Sequence, residues 1–150
     1  MAGERPQFYT LAMVKTQTLK WEEARAEAGA IRFAVFVDEQ KVPLEMELDE
    51  HDPLCVHVIA SVEGAAVGTG RLLPDGHIGR MAVLKAWRGR GAGAAMLNAL
   101  TDAARERGDR EVILSAQIHA LGFYRKFGFV SEGPEYLDAG IPHQTMRRSF

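Results

Sequence analysis

Apolar residues recur along the chain at two periods, and each period predicts its own elements. Between residues 19 and 37, Ala24, Ala28, Ile31 and Val35 follow at spacings of four, three and four, with Glu22, Glu23, Arg25 and Glu27 on other faces. That spacing marks one buried face of a helix. Thr18 is the expected N-cap, and the acids Glu22 and Glu23 favour the dipole of the first turn. Gly29 weakens the middle and predicts a division into two shorter helices. A cleaner stripe of Met96, Leu97, Leu100, Ala103 and Ala104 predicts a helix over Ala92–Arg107, with Asp102, Arg105, Glu106 and Arg107 toward water. Gly108 stands where a left-handed C-cap belongs.

Strand patterns fill the rest. Residues 8–15 read as an opening strand. Val56, Val58, Ala60 and Val62 alternate with His57, Ile59 and Ser61, and Glu63-Gly64 then marks a hairpin turn into residues 66–73. Pro74-Asp75-Gly76 turns the chain into a strand over 78–84. A short buried strand over 111–116 follows the long helix. A brief helix over 120–127 ends at Gly128, and strands over 129–137 and 143–148 close the chain. The order β, α, three meandering strands, α, β, α, β, β predicts an α/β fold with a mixed, mostly antiparallel central sheet and helices on both faces. One domain spanning residues 1–150 accommodates it.

Composition narrows the function classes. With 47% hydrophobic and 25% charged residues among 150, the chain has the make-up of a globular domain rather than a disordered or coiled-coil one. Eighteen basic against twenty acidic residues give a net charge of −2, which argues against a nucleic-acid partner but allows a local seat for a small anion. No apolar run reaches the ~18 residues of a membrane span. Residues 1–7 lack a signal-peptide core, so a cytoplasmic location is expected. The lone Cys55 suits a reducing compartment and reads as a small buried apolar residue. The five histidines lack ligand spacing, so no metal site is expected. Residues 45–52 hold five acids in eight positions and predict a solvated loop.

The chemistry concentrates in one turn. A strand ending Met81-Ala82-Val83 is followed by Arg88-Gly89-Arg90-Gly91-Ala92-Gly93 at the start of the long helix. Alternate glycines admit a bulky anion close to the backbone, and the free amides of a helical first turn favour phosphate. Arg88 and Arg90 add donors suited to phosphate oxygens. The plainer reading is a glycine-rich turn that serves packing alone. Gly89 to Ala94 also fits the loose dinucleotide pattern G-x-G-x-x-G/A, but it follows an antiparallel meander rather than a first βαβ unit. The chain is also too short for a doubly wound domain. A nucleoside-triphosphate loop would need Lys-Ser/Thr where Ala94-Ala95 stand.

These residues resemble the GNAT superfamily of acetyl-coenzyme A-dependent N-acetyltransferases. Its signature R/Q-x-x-G-x-G/A is matched by Arg88, Gly91 and Gly93 behind the strand Gly79-Arg80-Met81-Ala82-Val83. Its aromatic close, F-Y-x-K-x-G-F, is matched by Phe123-Tyr124-Arg125-Lys126-Phe127-Gly128-Phe129. Three shorter segments resemble the ElaA-like branch: Val35-Phe36-Val37-Asp38-Glu39-Gln40, Arg71-Leu72-Leu73-Pro74 and Gly140-Ile141-Pro142-His143-Gln144-Thr145-Met146.

The resemblance implies that the pyrophosphate of acetyl-coenzyme A lies on Arg88, Gly89, Arg90, Gly91, Ala92 and Gly93. It implies that the pantetheine arm pairs with the backbone of Met81, Ala82 and Val83, and that Tyr124 protonates the departing thiolate. A phenol suits that role because it is protonated at neutral pH. The acceptor would be a small-molecule or peptide amine. Glu39, Glu45, Glu47, His51, His119 and His143 are all candidates for the base, as is a water relay. A second function class is a module that binds coenzyme A without transfer, and a third is transfer of another acyl group. The acceptor's identity and the oligomeric state are left open.

Overall fold

The computed structural model describes residues 14–44 and 49–150. Strand β1 (Val14–Leu19) leads into helix α1 (Trp21–Arg32), which continues as a π-helical segment over Phe33–Glu39. Strands β2 (Val56–Val62), β3 (Ala65–Leu72) and β4 (His77–Val83) form the meander, and a 3-10 turn over Lys85–Trp87 leads to helix α2 (Ala92–Arg107). Strand β5 (Glu111–Gln117), a 3-10 turn over Ile118–Ala120, the short helix α3 (Leu121–Arg125) and strands β6 (Val130–Asp138) and β7 (Ile141–Ser149) complete the chain.

Three details differ from expectation. The expected strand over 8–15 is seen only from Val14, its earlier residues lie outside the described ones, and β1 extends to Leu19. Thr18 is therefore not an N-cap: it pairs with Val58 inside the β1–β2 ladder, and the cap falls on Lys20, whose N–H donates to Glu23 Oε1 at 3.4 Å. Gly29 does not divide the helix. The change comes at Phe33, where the turns widen and Gln40 N–H donates to Val35 O, five residues back, at 3.0 Å.

The seven strands run in the order β1-β2-β3-β4-β5-β7-β6, and only the β4–β5 pair is parallel. On one face, the α2 stripe of Met96, Leu97, Leu100 and Ala104 packs against Val58, Ala60, Val67, Leu72 and Leu114. On the other, Ala24 and Ala28 of α1 cover Ile59, while Ile31 and Val35 cover Ala82. Gly70 lets α2 sit this close, because a Cβ there would fall 2.6 Å from Met81 Sδ and 3.2 Å from Leu100 Cδ1. The helix ends at Gly108 as expected, in a left-handed cap with φ of 94°.

One irregularity shapes the centre. Arg71 pairs with Gly79 and Thr69 with Ala82, so β4 spends one extra residue over that step. Arg80 carries the strain with φ of 49°. Such a bulge bends its strand away from its neighbours. Accordingly β4 and β5 share only the pairs His77–Ile113 and Ile78–Leu114 and then part.

Candidate active site

The parting strands open a cleft of about 660 Å³, within the range of small-molecule sites. One wall is Gly79 to Val83 of β4. The opposite wall carries Leu114, Ser115 and Gln117 of β5, with Phe123 and Tyr124 of α3 and His143 of β7. Strand alternation decides which β4 groups face it. Leu84 N–H donates to Val67 O at 2.9 Å, so Ala82 also turns its polar backbone toward β3, while Val83 turns toward the cleft. Met81, two positions before Val83, lies on the same edge. Of the expected strand residues, Met81 and Val83 offer backbone groups to the gap and Ala82 does not.

At the far end of β4, Gly91 is the N-cap of α2 with φ of 91°, a conformation that favours glycine. Helix geometry leaves the N–H groups of Ala92, Gly93 and Ala94 without intrahelical acceptors, and Gly91 has no side chain to cap them. These amides open beside the cleft, which Gly93 lines. The Arg90 guanidinium lies over the Trp87 ring at 5.1 Å.

Arg88 has a different arrangement from the one expected of a phosphate donor. Its NH1 and NH2 donate to the two Glu39 oxygens, each at 2.6 Å, and its Nε donates to Val83 O at 2.9 Å. The guanidinium thus ties the π-helical segment to the end of β4. Its hydrogen bonds and charge hold the Glu39 carboxyl below the usual carboxylate range, which makes Glu39 a poor proton acceptor. The next residue, Gln40, pairs its amide with that of Gln117 at 3.1 and 3.4 Å. The segment therefore grips both cleft walls. Only the short motif containing Glu39 and Gln40 signalled this, since their partners lie 49 and 77 residues away.

The Tyr124 ring packs edge-on against Phe123 and Phe129, with centroids 5.1 and 6.0 Å away. Burial alone pushes its hydroxyl up to about 12, so the phenol stays protonated throughout the neutral range. Among the other candidates, His119 is exposed at the cleft rim, and His51 is not among the residues lining the cleft. Glu45 and Glu47 lie outside the described residues. Cys55 is buried, and its thiol donates to His51 O at 3.2 Å.

The expectation of a solvated acidic loop is overturned at its described end. Asp52 is 4% exposed and accepts from both Arg32 nitrogens and from Arg71 NH1. Asp49 accepts from Arg71 NH1 and NH2 and from Arg80 NH2. These acids are internal counter-charges to arginines that rise from α1, β3 and β4. Arg71, from the Arg71-Leu72-Leu73-Pro74 segment, also lines the cleft.

Comparison with known proteins agrees with this fold. The family model described as acetyltransferase (GNAT) domain matches residues 17–150. The uncharacterized N-acetyltransferase YjcF of Bacillus subtilis is 40% identical over 139 residues, covering 90% of this chain and 99% of that protein. Among solved structures, an acyl-CoA N-acyltransferase from Pseudomonas aeruginosa superposes with TM-score 0.79 at 33% identity, covering 91% of this chain and 99% of that one. Escherichia coli ElaA superposes with TM-score 0.81 at 29% identity, covering 91% and 100%. The chain belongs to the GNAT acetyltransferase family and is an acyl-CoA N-acyltransferase.

Proposed function

We propose that the donor is acetyl-coenzyme A and the acceptor a primary amine that attacks the thioester directly. One observation carries this reading: the unpaired edge of β4 runs straight into an uncapped first turn of α2, with a protonated phenol in the same cleft. The residues fit the donor. Amide-bearing pantetheine can pair with the Met81 carbonyl and the Val83 N–H as an added strand would, the Val83 carbonyl being taken by Arg88. The amides of Ala92, Gly93 and Ala94 suit the pyrophosphate, with the helix dipole adding to their field. In this site Arg88 acts on the donor mainly through the backbone it positions, because its side chain is spent on Glu39 and Val83.

An amine adds to the thioester carbonyl, and the C–S bond then breaks with its electron pair on sulfur. Tyr124 gives its hydroxyl proton to that sulfur. The remaining cleft-facing N–H of this edge, that of Met81, can donate to the carbonyl oxygen as charge develops there. The preference for acetyl is supported by the N-acetyltransferase name of the Bacillus subtilis relative.

The test is thiol release from acetyl-, butyryl- and octanoyl-coenzyme A with spermidine, glucosamine and triglycine as acceptors. The proposal expects amine-dependent release, fastest with acetyl-coenzyme A. Binding of coenzyme A without release would overturn it in favour of a binding module, and faster release from a longer chain would overturn the acetyl assignment.

A further inference from the structure

We propose that His143 is the general base that takes the proton from the acceptor nitrogen, an assignment that rests on the acyl-transfer reading above. His143 is 8% exposed, yet it lines the cleft between β4 and β5. Its Nδ1 lies 2.6 Å from the carbonyl oxygen of Ile141. A carbonyl only accepts, so Nδ1 carries the hydrogen, and in the neutral ring Nε2 is left with its lone pair. The ring is held flat against Tyr136, with centroids 6.1 Å apart and planes at 21°. Tyr136 is itself hydrogen-bonded to Ser115 across the sheet. Orientation and tautomer are therefore both set by neighbours, as a base requires.

Its side of the sheet is the second argument. His143 directly opposes Gln117 in the β5–β7 ladder, and directly opposed residues project to one face. Gln117 reaches Gln40 at the end of the π-helical segment, so that face is the α1 side. Tyr124 packs into the core of the opposite face, with α2. A proton acceptor and a proton donor thus border the gap from opposite faces of the sheet. The acceptor nitrogen and the departing sulfur sit on the same carbonyl carbon, and each needs one of these two groups.

Among the described residues, the other candidate bases are less well placed. Glu39 is locked by Arg88, His119 is exposed with no such anchor among the described residues, and His51 does not line the cleft. In the resulting step the amine lone pair forms the C–N bond and the nitrogen proton passes to His143 Nε2. The C–S pair leaves on sulfur, which takes the Tyr124 proton. Transfer of one proton from His143 to Tyr124 through solvent restores both, so amine and thioester become amide and thiol with atoms and charge balanced.

The test compares wild type, His143→Ala, His143→Gln and Tyr124→Phe, using acetyl-coenzyme A with whichever of spermidine, glucosamine or triglycine supports turnover. Both His143 variants should lose about 10²- to 10⁴-fold in kcat, the usual worth of a general base. Their stabilisation by coenzyme A should stay at the wild-type level. Added imidazole should restore part of the turnover of His143→Ala and none of that of Tyr124→Phe. Wild-type kcat in either His143 variant would overturn the assignment. So would a loss that imidazole leaves untouched, or one that tracks weakened coenzyme A binding. Absence of turnover by wild type with all three amines is a separate failure, which removes the transfer reading and the base with it.

Discussion

Replacing Asp52 with Asn removes the carboxylate on which two buried guanidinium groups converge. Arg32 donates to its two oxygens at 2.9 and 3.0 Å, and Arg71 donates to Oδ1 at 2.8 Å. Arg32 is 2% exposed and Arg71 6%, so the charges that lose this partner stay out of water. Breaking a buried pair from one side costs about 3–5 kcal/mol, and a retained amide oxygen puts Asp52→Asn near the lower end, about 3 kcal/mol. For a domain of this size each kcal/mol moves Tm by about 2–4 °C, so thermal unfolding at pH 7 should show a loss of about 6–12 °C. Exposed Asp102→Asn is the control and should stay within about 0.5 kcal/mol of wild type. Acid gives an independent readout. Burial pushes the Asp52 carboxyl up, but the hydrogen bonds and charge of Arg32, then of Arg71, outweigh it and hold the group below its ordinary value. Its contribution is therefore complete above the unfolded value of about 3.9 and is lost as pH falls through the lower folded one. Asp52→Asn should show a shallower loss of stability below about pH 4 than wild type, on the same linkage. A Tm within 3 °C of wild type, about 1 kcal/mol, would refute the claim that the cluster stabilises the fold.

Tyr124→Phe should lower kcat about 10²-fold, the low end for an acid catalyst, with coenzyme A affinity unchanged; an equal loss of both would mark a packing role. Because the phenol's pKa is pushed up to about 12, rates from pH 7 to 10 should show no falling limb from its ionisation. Gly91→Ala and Gly93→Ala should part company in thermal unfolding and coenzyme A titration. Gly91 has φ of 91°, so an alanine there costs about 1–2 kcal/mol and displaces the first-turn amides. A Cβ at Gly93 meets only Phe123, at 3.5 Å, so that variant should keep coenzyme A affinity and gain up to about 1 kcal/mol. Equal behaviour of the two variants would contradict this account of the turn.

The strand and helix order could be read in the sequence because most elements carry their own period. The α2 stripe and its Gly108 cap stand within one stretch of sixteen residues and the one after it. Thr18 misled because nothing local reveals that β1 runs on to pair Leu19 with His57. The glycine turn marked one end of the cleft, and the aromatic close part of one wall. The pairing of Arg88 with Glu39 was hidden, because an arginine beside glycines reads as a phosphate donor and Glu39 lies 49 residues away. Asp49 and Asp52 read as solvated for the same reason, since their partners Arg32, Arg71 and Arg80 lie 19 to 31 residues away. Local pattern reports elements and turns. Ion pairs formed across the fold report only in the fold.

The central claim is that an acyl-coenzyme A lies along the β4 edge with its pyrophosphate on the first turn of α2. Thermal unfolding of the wild-type protein with and without coenzyme A tests it most directly. A ligand that binds only the folded state stabilises it by about 2.7 kcal/mol at a hundredfold excess over Kd, which corresponds to a rise in Tm of about 5–11 °C. The account predicts that rise for wild type and a smaller one for Gly91→Ala at the same concentration. A wild-type Tm unmoved by millimolar coenzyme A would contradict it.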